Sequence, residues 1–139
     1  MRRLTCAAFV FAILGAGGTA MAAEQTVAVV HSGSATYSAG RAIVVRATVD
    51  LPNSCWSNPH FMAPSRGVRP DADGVVPILI VAKSKEGSGV MCSMIYRPGI
   101  SVPALRWTHY PANGLKAVRL IGTRAPVAAN VGDGDRPGR

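Results

Sequence analysis

Charge, aromatic rings and catalytic signatures are all scarce in this chain. Only seven of its 139 residues are acidic, and acid/base work by paired carboxylates needs two held close together. Asp71 and Asp73 sit beside Gly74, where Asp–Gly chemistry reads as a turn. The other close pair, Asp133 and Asp135, lies in a glycine-rich tail. There is no G-x-S-x-G elbow, no phosphate-cradling glycine loop and no C-x2-C spacing. Aromatics make up 6% of the sequence and are scattered. The basic residues, from Arg41 to Arg124, are spread out and do not interleave with rings on one face, as a nucleic-acid reader would require. No segment carries a long apolar pattern at helical spacing. These absences point away from an enzyme, a nucleic-acid binder and a helical fold.

What is present begins with an export signal. "MRRLTCAAFVFAILGAGGTAMAA" has a basic start at Arg2 and Arg3, an apolar core from Leu4 to Leu14, and a small-residue end. That is the three-part pattern of a secretory signal peptide. The core is shorter than the roughly 20 apolar residues of a membrane span and is interrupted by glycines. Residues 1–22 are therefore expected to be removed, leaving no stable membrane span, a β-domain over 23–129 and a disordered tail over 130–139. The expected location is the periplasm or the cell exterior.

Removing the leader takes Cys6 with it and leaves Cys55 and Cys92 as the only cysteines. In an oxidising compartment such a pair most simply forms one disulfide. The mature chain keeps thirteen basic residues against seven acidic ones. That balance suits a solvated basic surface, or adhesion to anionic envelope polymers through Coulomb attraction.

The strand signals are short and frequent. "EQTVAVVH" (24–31) reads as a first strand and "SGSATYSAG" as the turn after it. In "RAIVVRATVDLP" (41–52), Ile43, Val45, Ala47 and Val49 fall on one face, with Val44, Arg46, Thr48 and Asp50 on the other. Such alternation marks a strand with one buried face. "VVPILIVAKS" follows an Asp-Gly turn, and Pro77 should mark a strand start, an edge or a bulge. "GSGVMCSMIY" (87–96) reads as the hairpin partner, with Met91 and Met94 as core fillers. "VPALRWTHYP" and "NGLKAVRLIGTRAPVAA" follow, the latter opened by the hairpin-favoured Asn113-Gly114. About seven short strands separated by turns give an all-β fold, expected as an immunoglobulin-like antiparallel β-sandwich. Trp107 is the better candidate for the core, because Trp56 adjoins Cys55 and should point to the opposite face.

The sequence of "LPNSCW", "VPILIVAKS", "VMCSMI" and "PANGLKAVRLIG" resembles small exported β-sandwich proteins of Gram-negative bacteria with one disulfide. The resemblance spans roughly Gln25 to Ala128. It implies a fold and a compartment, and no activity.

The chain is therefore expected to be an exported, non-enzymatic domain, without cofactor, that binds a protein or an envelope component. The long segment "HFMAPSRGVRPDADG" (60–74) is the candidate loop, with His60, Arg66 and Arg69 as binding residues. The alternative is a periplasmic copper-handling protein using Cys55, His60, Met62 and His109, all ligand types that suit copper. A zinc set of Cys55, His60, Cys92 and His109 is chemically possible but lacks a specific spacing. A hydrolase using Cys55 or Cys92 with His60 or His109 matches no local signature.

Overall fold

The computed structural model describes residues 23–39 and 41–132. The expected leader over 1–22 and tail residues 133–139 lie outside the described residues. Among the described residues there are only strands and loops, and no helix is long and apolar enough to cross a membrane. The strands are β1 (Ala23–Thr26), β2 (Val29–Ser38), β3 (Ala42–Leu51), β4 (Trp56–Phe61), β5 (Val75–Ser84), β6 (Arg97–Trp107), β7 (Ala117–Ile121) and β8 (Val127–Gly132).

The all-β expectation holds, with eight strands instead of about seven. They form one curled mixed sheet in the order β1-β5-β7-β8-β2-β3-β6, with β4 also paired to β5. The expectation of a purely antiparallel arrangement is corrected here. β5 pairs β7 in parallel and β2 pairs β8 in parallel, while the remaining pairings are antiparallel. Parallel ladders join strands distant in sequence, and turn chemistry between neighbours carries no trace of them.

Period-two patterning explains the core. Ile43, Val45, Ala47 and Val49 on β3 are buried, as their alternation predicts, against Val76, Ile78 and Ile80 on β5 and Val118 and Leu120 on β7 in one cluster. Both tryptophans belong to it: Trp107 is buried as expected, and so are Trp56 and its neighbour Cys55. Pro77 lies in β5, whose ladder with β4 begins only at Ile80, so its missing N–H interrupts no pairing on that side.

Several local readings are corrected. "SGSATYS" is not a turn but most of β2, paired residue for residue with β3 from Ser32↔Thr48 to Ser38↔Ala42. Its glycine has a packing reason. A Cβ at Gly33 would stand 2.1 Å from Leu120 Cδ1, so the strand can cover this leucine only where a side chain is missing. Asn113-Gly114 forms no two-residue hairpin, because β6 and β7 are not paired with each other. Asn130, Val131 and Gly132, read as tail, complete β8, with Asn130 opposite Ala117 and Val131 opposite Ala35.

The stretch 87–96 departs furthest from expectation. Residues 90–96 form no strand and are largely exposed, so Met91 and Met94 do not fill the core. β6 pairs β3 only from Arg97↔Leu51 onward. Upstream of that point β3 has ended, and the apolar residues before Arg97 find no ladder to join.

Candidate functional site

Strand directions sort the loops into two ends. The sheet pairings place the C-termini of β3, β5 and β7 with the N-termini of β2, β4, β6 and β8. One end therefore carries the β3–β4 turn, the long β5–β6 loop and the β7–β8 loop. The other carries the β2–β3, β4–β5 and β6–β7 connections.

The first end is built around the turn Pro52–Cys55. Cys55 and Cys92 form a disulfide with their Cα atoms 5.2 Å apart, as expected from the cysteine count. Next to it, Ser54 N donates to the Ser93 carbonyl at 3.1 Å and Ser93 N donates to Ser54 Oγ at 2.7 Å. Lys85 N donates to the Cys55 carbonyl at 3.1 Å. The β5–β6 loop is thus tied to one turn by a covalent bond and three hydrogen bonds.

Asn53, buried, ties the same turn together. Its Oδ1 accepts from Cys55 N at 2.9 Å, and its Nδ2 donates to Glu86 Oε1. The Arg97 guanidinium donates to the Trp56 carbonyl, and its Nη2 lies 3.5 Å from the Asn53 carbonyl. These bonds satisfy polar groups that the turn buries beneath the loop.

Asp50 closes the loop on its far side. It was expected on an outward face, yet it is buried. The Tyr96 hydroxyl donates to its Oδ2 at 2.5 Å and Gly99 N donates to its Oδ1 at 2.9 Å. The Tyr96 bond, then the Gly99 bond, hold the Asp50 carboxyl below its ordinary pKa; burial opposes them and His31, 3.9 Å away, assists. The same bond raises the Tyr96 phenol.

Between these anchors the loop exposes its apolar side chains. Met91 is 96% exposed, Met94 87%, Ile95 66% and Tyr96 56%. Among the described residues, the exposed large hydrophobics outside this loop are Met62 and Leu79. Met94, Ile95 and Tyr96 are consecutive, and Met91 is parted from them by Cys92 and Ser93, on a loop held by the bridge and by Asp50.

The residues singled out in the sequence lie elsewhere. Arg66 and Arg69 are exposed in the β4–β5 loop, at the opposite end of the sheet from the disulfide. The bridge therefore anchors the β5–β6 loop, and not residues 60–74. Arg69 lines an open hollow of about 550 Å³ with Asp71, Asn113 and Lys116. Asp71 Oδ1 accepts from the Asp73 and Val75 amides at 2.9 and 3.0 Å, which is turn chemistry as expected. His60, on β4, donates from Nδ1 to the Asn58 carbonyl at 2.9 Å and places Nε2 3.1 Å from Glu24 Oε1.

The structure does not bring together the copper or zinc ligand sets. Cys55 and Cys92 share one bond, so neither offers a thiolate to a metal or to a substrate while the bridge stands. Among the described residues no three of His, Cys, Asp or Glu gather where a metal ion could be held. Met62 and His109 are exposed.

Asp50, Asn53, Tyr96 and Arg97 were missed in the sequence. The only signal was their closeness to the two cysteines, since polar residues flanking a bridge often satisfy the backbone that it buries. Comparison with protein-family models, curated proteins and solved structures finds no match to the chain.

Proposed function

We propose that this protein is an exported, non-enzymatic binding domain whose β5–β6 loop captures a protein or another component of the cell envelope. The observation that carries this reading is the exposure of Met91, Met94, Ile95 and Tyr96 on a loop fastened by a disulfide and by Asp50, Asn53 and Ser54. Fastening matters because a loop already ordered loses less entropy when it binds. The bridge also suits an oxidising compartment, in keeping with the periplasm or exterior of a Gram-negative cell.

The finer reading of the fold belongs to the same proposal. An immunoglobulin-like sandwich, as in the exported proteins that the sequence resembles, would set β1, β4 and β5 against β2, β3 and β6. The chain's passage from the β5 ladder in β1 to the β3 ladder in β2 supports this. The parallel β5–β7 pairing departs from it.

A second reading rests on the hollow beside Arg69 and Lys116, with capture at the opposite end through Arg66 and Arg69. Pull-down from an envelope extract separates the two. The β5–β6 reading expects M91S/M94S to lose the captured material and R66A/R69A to keep it. The reverse pattern favours the opposite end, and capture unchanged in both variants overturns both.

A further inference from the structure

We infer that the β5–β6 loop docks on an anionic lipid bilayer, seating Met91, Met94 and Ile95 in the interfacial region while Lys85 and Arg124 face the lipid phosphates. This rests on the binding reading above and names its partner.

Shape is the first reason. Met91 and Met94 are almost wholly exposed, so they stand out as prongs from the fold. A protein partner would have to supply pockets matched to both, whereas a fluid interface accepts protruding apolar groups without a matched shape. Unbranched methionine also adapts to a disordered surround.

Order along the loop is the second. Exposure falls from Met94 through Ile95 to Tyr96, and Arg97 is half-buried at the base. The tip is apolar, followed by a phenol with its hydroxyl turned back to Asp50, and then by polar residues. Apolar tip, amphipathic ring and charged base is the sequence in which side chains meet a membrane interface.

Charge is the third. The carboxylates at this end keep their charge but are bonded within the fold: Asp50, buried, by Tyr96 and Gly99, Glu86 by Asn53, and Glu24, opposite Lys83, by His60. Lys85 and Arg124 are exposed there, and Arg124 is close enough to Tyr96 for its charge to favour the phenolate. Without the expected leader the chain keeps thirteen basic residues against seven acidic ones. Basic residues beside a membrane surface are attracted to anionic lipid and released by salt. Insertion stays shallow, because loop backbone cannot leave its amides and carbonyls unpaired in hydrocarbon.

Sedimentation of the purified protein with vesicles tests this. One set is phosphatidylcholine alone and the other contains phosphatidylglycerol. The wild-type protein should sediment with the anionic set and lose that binding as salt rises. M91S/M94S should weaken it by at least about tenfold, since two apolar side chains lose their transfer from water. K85Q/R124Q should weaken it and flatten its salt dependence. Both pairs are exposed, and an unchanged urea midpoint shows the variants folded. A wild-type protein that sediments with neither set overturns the lipid assignment, while capture of an envelope protein in the pull-down would still stand. Equal sedimentation with both sets, or anionic binding that survives M91S/M94S and falls in R66A/R69A, also overturns it.

Discussion

The Tyr96 hydroxyl reaches 46 residues back along the chain to Asp50 Oδ2, at 2.5 Å, and this bond joins the exposed β5–β6 loop to the end of β3. A buried carboxylate at a strand end would be costly alone. Here it is satisfied by the loop it holds, so the ionisation of Asp50 and the order of the loop are linked.

Their linkage sets a pH dependence. Folding lowers the Asp50 pKa from its ordinary 3.8, so its contribution is present above that value and is lost as pH falls through the lower folded one. Folding raises the Tyr96 pKa above 10.0, so its contribution is present below 10.0 and is lost as pH rises through the raised value. Urea midpoints against pH should therefore fall at both extremes. D50N and Y96F, each removing the shared charge-assisted bond, should both flatten the two limbs. Limbs unchanged in Y96F would contradict the linkage.

Removing the bridge should matter more. It spans 37 residues of sequence, for which loop-closure entropy gives on the order of 4 kcal/mol. C55S/C92S should lose about that much in urea unfolding, with faster hydrogen exchange across 85–96. A loss below about 1 kcal/mol would mean that Asn53, Ser54 and Asp50 hold the loop without the bridge.

Gly33 offers a packing test. Alanine there puts a methyl group against Cδ1 of Leu120, which is fully buried and must shift to admit it. G33A should cost about 1–3 kcal/mol by overpacking. With L120A already in place, the further cost of G33A should fall well below that, because the space is then open. Additive losses would contradict the contact.

How far the sequence foretells the structure depends on the range of the forces involved. β3 was legible because period-two burial is local, and the Cys55–Cys92 bridge because only two cysteines follow the expected leader. Ser32 to Ser38 misled because small polar residues favour turns in isolation, while pairing with β3 and the need to clear Leu120 keep them extended. Val90 to Tyr96 misled in the opposite sense, since apolar residues look like a strand whether or not a neighbour strand reaches them. The parallel β5–β7 and β2–β8 pairings are long-range and leave no local mark. The candidate site followed the same division: the cysteines were visible, but the loop they fasten was not. His60 on β4 and Arg66 and Arg69 on the β4–β5 loop belong to a segment that strand direction leads to the other end.

The most direct test of the proposed binding role of the β5–β6 loop uses the protein's own methionines. Of the five, Met1 and Met21 lie in the expected leader, Met62 follows β4, and Met91 and Met94 stand on the β5–β6 loop. Photo-methionine incorporated throughout and irradiated with the envelope fraction should cross-link at Met91 and Met94 and spare Met62. Cross-links confined to Met62, or none from Met91 and Met94, would contradict the account.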